Sequence, residues 1–157
     1  MFLYSSHANS LRIEQLQNAA LNYDSSARSY RSVAENLITA KKLQIDGNNE
    51  LLQSSIRMNA YLKLQSADNL ILSSQNFDNA VRIWEYIATL TPEDEKKRIF
   101  TMWAETALEK STSIIKMAVE LMEDSAIDYM SIGDNHNSAI ISNRAGKLRE
   151  TLAERIK

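Results

Sequence analysis

Three glycines and one proline are all the helix-breaking residues in this chain of 157, where average usage would give roughly eleven and eight. Almost nothing interrupts a helix, and apolar residues recur at helical spacing from one end to the other. Ile13, Leu16, Ala20, Tyr23, Ala27, Tyr30, Ala34 and Leu37 alternate steps of three and four residues, which places them on one face of a helix. The stripe is small and aromatic where a coiled coil would be Leu and Ile, so it calls for a close neighbour. Asp24-Ser25-Ser26 are poor helix formers and predict a weak break inside this segment. Gly47-Asn48-Asn49 predicts its end, with an Asn capping the next helix ahead of Glu50.

From 50 to 74 two apolar stripes lie side by side, Leu52, Ile56, Ala60, Ala67 and Leu70 beside Leu51, Met58, Leu62 and Leu72; this reads as a core helix buried on two sides. Ser73-Ser74-Gln75-Asn76 predicts a short turn, followed by an apolar helix over 80–88 with Trp84 as its anchor. Thr91-Pro92-Glu93-Asp94-Glu95 predicts a helix start, with Thr91 as N-cap, Pro92 in the first position and three acids against the helix dipole. The pattern from Ile99 through Trp103, Ala107, Ile114, Leu121 and Tyr129 then meets no breaker before Gly133. Residues 133–138 form the most loop-like run, and a last amphipathic helix from about 138 carries Ile141, Ala145, Leu148, Leu152 and Ile156.

The expectation is therefore an all-α antiparallel bundle of four to six helices in a single domain over 1–157. Long helices are expected at about 10–45 and 92–131, and the C-terminal helix, about 138–157, at the periphery. No repeat of 20–50 residues is visible.

Composition narrows the function. Eighteen Lys and Arg against twenty Asp and Glu give a net charge of −2, which argues against a general nucleic-acid or anionic-membrane binder. Met1-Phe2-Leu3-Tyr4 is too short for a signal peptide and no apolar run reaches the length of a membrane span, so a soluble, unprocessed protein is expected. No cysteine is present, which excludes disulfides, thiolate metal sites and a cysteine nucleophile. A di-iron bundle needs Glu-x-x-His pairs on facing helices, and neither His7 nor His136 has a carboxylate three positions before it. Scattered glycines form no phosphate loop, and no Gly-x-Ser-x-Gly elbow exists. The reading is a non-enzymatic chain without catalytic residues, cofactor or metal.

Three surface patterns remain. Glu120, Glu123, Asp124 and Asp128 make an acidic ridge, best read as a solvated face. Arg144, Lys147, Arg149, Arg155 and Lys157 make the last helix basic, best read as complementing the helix dipole. Trp84, Tyr86, Phe100 and Trp103 gather around the Thr91 turn, where core packing competes with an aromatic groove for a partner helix. With Tyr23 and Tyr30 they are the candidate partner-binding residues. Asn, Gln and Ser total 37 residues, and Asn59, Asn69 and Asn79 lie near apolar stripes where a buried amide needs a partner. Part of the fold is thus expected to be completed by self-association or by a bound helical client.

The run Val81-Arg82-Ile83-Trp84-Glu85-Tyr86-Ile87, then Thr91-Pro92-Glu93, Arg98-Ile99 and Met102-Trp103, resembles FlaF, the small helical flagellin regulators and chaperones of alphaproteobacteria. In that family an Arg-aliphatic-Trp helix precedes a Pro-initiated helix with another Arg and a later Trp. The resemblance covers about residues 30–125. The connecting loop is shorter here, Val81 stands where a second Arg is common, and the N-terminal helix and the tail after about 125 are extra. It implies a cytoplasmic, non-enzymatic protein that binds flagellin or a fellow regulator before secretion. Two other readings stand beside a helical binding module, adaptor or secretion chaperone: a structural subunit self-assembling through the 13–37 seam, and, ranked last, a metal-dependent enzyme using the acidic ridge.

Overall fold

The computed structural model describes the backbone of residues 2–44 and 52–156, and the side chains of 12–36, 53–54 and 56–156. The boundary expected at Gly47-Asn48-Asn49 lies outside the described residues, as do the side chains of His7, Leu37 and Lys157. Four helices follow one another: α1 (Phe2–Gln44), α2 (Leu52–Leu90), α3 (Asp94–Ser131) and α4 (Asn135–Ile156). The architecture is an all-α bundle, with no strand among the described residues. No helix is long and apolar enough to cross a membrane among the described residues.

Small residues set how the helices pack. Ala20, Ala27 and Ala34, one heptad apart on α1, are fully buried, as are Ala60 and Ala67 on α2 and Ala118 on α3. Serines share these seams: Ser66, Ser111 and Ser125 are fully buried, and each hydroxyl donates to a backbone carbonyl of the neighbouring helix. Ser66 reaches Ala34 O at 3.3 Å, Ser111 reaches Ser74 O at 3.0 Å, and Ser125 reaches Ala60 O at 2.7 Å. A side chain of one heavy atom beyond Cβ spans that gap only when the backbones lie near the short end of the roughly 8–10 Å range for helix pairs. The last two bonds also show the register, since two heptads forward on α3 is two heptads back on α2. α2 is accordingly the spine, with α1 along one side and α3 along another, while α4 packs closely on α3. Ala20, Ala27 and Ala34 of the α1 seam are therefore used within the chain.

Long side chains tie α4 back to α2. Arg57 pairs with Asp134, Asp68 with Arg144 and Asp78 with Arg155, and the partners advance together by about three turns, so α2 and α4 run parallel. The last pair is half-buried and bidentate: Arg155 Nη2 donates to Asp78 Oδ2 at 2.6 Å and Nη1 to Oδ1 at 3.1 Å, while the single Ser111 hydroxyl proton is shared between that Oδ1, 2.6 Å away, and Ser74 O. Arg149 pairs with Glu123. Two of the cations read from sequence as dipole complementation, Arg144 and Arg155, thus bind specific carboxylates on α2, and a third, Arg149, binds the acidic ridge. That ridge is correspondingly not a freely solvated face, because Asp128 also holds Lys63, at 2.6 Å.

The expected breaks at 24–26 and 73–76 do not occur: both segments are helical. Ala20 and Ala27 bury the first against α2, and packing outweighs the few tenths of a kcal/mol that Asp and Ser cost a helix. In the second, Ser74 donates to Ile71 O and Asn76 to Leu72 O, so two of the polar side chains are satisfied on their own helix, while the buried Ser73 hydroxyl has no hydrogen-bond partner. The start expected at Thr91 is shifted. Thr91 finishes α2 by donating to Ile87 O at 2.7 Å, Pro92 lies in the linker, and Glu93 is the N-cap of α3, with extended φ −83° and ψ 124°.

The loop expected over 133–138 contracts to three residues. Gly133, at φ 81°, takes the left-handed conformation that lets its N–H reach Met130 O while Asp134 N–H reaches Tyr129 O, a Schellman closure of α3. Asp134 then caps α4 by accepting from Asn137 N–H at 3.2 Å and Asn137 Nδ2 at 2.8 Å. The Asn137 bonds, with Arg57 behind them, hold the Asp134 carboxyl below the usual carboxylate range.

Because Arg155 is the half-buried tie at the far end of α4, Arg155→Ala is expected to loosen that end alone. The pair and its serine are worth about 1–3 kcal/mol. Amide exchange should quicken over 148–156 and stay unchanged in the middle of α2.

Candidate functional site

At one end of the bundle large rings join the buried small residues Ala80, Ala88, Ala104 and Ala107. Above Ser74 on α2 the core residues become Phe77 and Trp84, met from α3 by Phe100 and Trp103. Trp84 stacks on Phe100 (centroids 5.9 Å, 9° between planes), and Trp103 stands edge-on to both, 4.8 Å from Trp84 and 5.6 Å from Phe100. Such offset and edge-to-face contacts suit the ring quadrupoles and add about 0.5–1.5 kcal/mol each beyond buried area. The wide rings leave a groove between α1 and α3, floored by α2 and by the α2–α3 linker.

Two cavities make up this groove, and Trp103 lines both. The outer one, about 600 Å³, lies between Ile13 and Gln17 of α1 and Lys96, Ile99 and Phe100 of α3, closed at one end by Thr91 and Pro92. The inner one, about 210 Å³, lies between Leu21 and Asp24 of α1, Phe77 and Trp84 of α2, and Thr106, Ala107 and Lys110 of α3. Burial pushes the Asp24 carboxyl up from its ordinary value, partly offset by the charges of Lys110 and Arg28. Its Oδ1 is buried without a hydrogen-bond partner. Lys110 Nζ sits 5.8 Å from the centre of the Phe77 ring, within the range of a cation–π contact.

The six candidate residues from sequence separate into two kinds. Trp84 and Phe100 are buried, 2% and 8% exposed, whereas Trp103 is 45% exposed; the first two shape the groove and the third is presented in it. Tyr86 is exposed and its hydroxyl accepts from Arg12, whose guanidinium lies 5.0 Å from the ring centre. This ties α1 to α2 near the groove. Tyr23 is exposed and Tyr30 half-buried on α1; neither lines the two cavities. Ile13, Gln17, Asp24, Phe77, Ile99 and Lys110 were not visible as site residues, because only the pairing of α1 with α3 across α2 brings them together.

Among the amides, Asn69 donates to Gln65 O on its own helix, while Asn59 is buried with an unpartnered Oδ1. His136 is exposed. No group of three His, Cys, Asp or Glu side chains is placed to hold a metal ion among the described residues.

No protein family, curated protein or solved structure matches this chain.

Two measurements follow from this geometry. Trp84→Ala should cost about 3–5 kcal/mol of stability, as for a large buried aromatic, while Trp103→Ala should lose clearly less; paired urea titrations compare them. Ionised Asp24 opposes folding, because its folded carboxyl titrates above the unfolded one. That penalty operates at neutral pH and disappears as pH falls through the raised value. Asp24→Asn should therefore melt at or above the wild-type temperature at pH 7, and the difference should narrow in acid.

Proposed function

We propose that this chain is a non-enzymatic helical binding module that receives one amphipathic helix of a protein partner in the groove between α1 and α3. The supporting observation is Trp103, a large aromatic residue left nearly half exposed at the junction of both cavities. Tryptophan is the residue most enriched at energetic hot spots of interfaces, and an exposed one at the centre of an apolar groove has an obvious use.

Dimensions support a helix as the occupant. From Lys96 to Lys110 the α3 wall runs fourteen residues, about 21 Å at 1.5 Å per residue, or four turns. A partner helix of that length would lay its apolar face against Ile13, Ile99 and Trp103, with anchors at the i, i+3, i+4 and i+7 spacing typical of such docking. The walls are independently braced, α1 by its alanine seam on α2 and α3 by its serine bonds to α2. The receiving surface is therefore rigid, and little ordering cost is paid on binding.

The resemblance to FlaF in the Trp84 and Trp103 segments gives this reading a specific form: an adaptor or secretion chaperone in the cytoplasm, with a helix of flagellin or of a fellow regulator as its client. A photo-crosslinking amino acid placed at 103 in the native host tests it. The expected product is a crosslink to one helical segment of one protein, lost when the crosslinker is moved to exposed Glu120 on the same helix. Crosslinks spread over many proteins, or equal yield from both positions, would overturn the reading.

A further inference from the structure

Charge is unevenly distributed along the groove. The outer cavity has one acid and one base in its lining, Glu93 and Lys96, which pair with each other at 3.5 Å and so cancel. At the inner end the balance is different. Lys110 lines it from α3, Arg28 stands beside it on α1, and both lie near enough to Asp24 for their charges to act on its carboxyl. Asp24 is recessed, with Oδ1 sealed from solvent, whereas Arg28 is exposed and the Lys110 ammonium is open to solvent. Neither cation forms a salt bridge among the described residues. The neighbouring acids are engaged elsewhere: Glu35 on α1 pairs with Arg31, and Glu109 lines a separate cleft between α3 and α4. Two accessible cations against one recessed carboxylate leave this end positive, so an occupant arriving from solvent meets the cations first. Such charges add little affinity each, but they decide which partner docks and which way round.

The direction follows from the walls. Residue numbers run oppositely along α1 and α2, from Arg12 with Tyr86 to Ala34 with Ser66. They do so again along α2 and α3, from Ser74 with Ser111 to Ala60 with Ser125. Both walls are therefore antiparallel to α2 and parallel to each other, with their N-terminal ends toward the outer cavity. A helix laid between them opposes both wall dipoles only if its own N-terminus lies at the inner end. Acidic side chains in its first turns would then complement its own dipole and the two cations together. Lys110 is seven residues past Trp103, about 10 Å along α3, which fixes the spacing on the partner at about two turns.

We propose that the groove selects a helix with an acidic N-terminal end, one that runs antiparallel to α1 and α3, packs an apolar residue on Trp103 and carries Asp or Glu about two turns earlier, facing Arg28 and Lys110. This rests on the helix-binding reading and adds to it the charge and the direction of the partner.

The indole N–H signal of Trp103 in nitrogen-15 correlation spectra of the full chain reports occupancy. The probes are two peptides of about eighteen residues, five helical turns, with the same composition and the same leucine face. One carries Glu in its first two turns and Lys in its last two, and the other reverses the blocks. The Glu-first peptide should move the signal saturably and bind about tenfold more tightly than its reverse, by a margin that shrinks as salt is raised. Replacing both cations, Arg28→Gln with Lys110→Gln, should leave binding but abolish the preference; indole signals close to their wild-type positions without peptide verify that this variant is folded. Equal affinity for the two peptides would overturn the proposal while leaving a groove that takes helices without reading charge. A preference that survives in the double variant would belong to the peptide and also overturn it. Saturable shifts from neither peptide would overturn this inference together with the helix-binding reading, and an indole signal that moves on dilution of the chain alone would show a second copy in the groove instead.

Discussion

Everything in this bundle depends on how closely α2 can approach its neighbours. Leu and Ile seams hold helices apart by the width of their side chains and gain stability from area. Seams of Ala and Ser gain less area, about 25 cal/mol per Å² of what is buried, but they let backbones come near enough for a hydroxyl to donate across the gap. Ser66, Ser111 and Ser125 do this in three places, and each also satisfies its own buried oxygen. A serine-rich helix that would be marginal alone is supported where serine hydroxyls find carbonyl partners in the adjoining helix.

The groove lies where large rings join that arrangement. Ala60, Ser66, Ala67 and Ser74 line α2 beside Leu70 where the neighbours close on it; farther along, Phe77 and Trp84 add the volume of their rings beside Ala80, and α1 and α3 leave a cleft. The same four aromatic residues that hold this end together also fix its walls. Function and stability share side chains here, yet they divide by exposure: Trp84 and Phe100 lie within the core, and Trp103 reaches from the core into the groove. The C-terminal helix is attached by a different means. Its apolar contribution is confined to a few residues such as Ile141 and Ala145, and its alignment comes from arginines that reach carboxylates on α2 and α3. Exposed pairs of this kind contribute only about 0–1 kcal/mol each, so the half-buried Arg155–Asp78 pair with its serine matters most.

The helical class and the α1 seam were legible in the sequence, because both rest on spacing along one helix. Ala20, Ala27 and Ala34 lie where the period of three and four placed them. Breaks were misjudged wherever local preference opposed packing. Asp24-Ser25-Ser26 and Ser73-Ser74-Gln75-Asn76 carry turn-like composition, yet neighbouring alanines and back-bonded side chains keep them helical. Thr91 has the chemistry of an N-cap and instead spends its hydroxyl on the end of the preceding helix. The groove was only half legible. Trp84 and Trp103 stood out by residue type, but which of them is exposed depends on the rotation of α3 against α2, and Asp24 with Lys110 required three helices to be placed at once. The ionic tie of Asp78 to Arg155, 77 positions apart, has no local signature at all.

The most direct test of the close-packed seam compares two substitutions at one site, Ser125→Ala and Ser125→Val, by thermal and urea unfolding. Size alone separates them from hydrophobicity, since valine is the more apolar of the two and its intrinsic helix cost is only a few tenths of a kcal/mol relative to the change expected. The account predicts a loss of about 1 kcal/mol for alanine, the value of one net hydrogen bond, and a further loss of about 1–3 kcal/mol for valine, whose extra methyl groups have no room against Ala60. A valine variant as stable as the alanine variant, or more stable, would contradict it, because the helices would then have had space to spare.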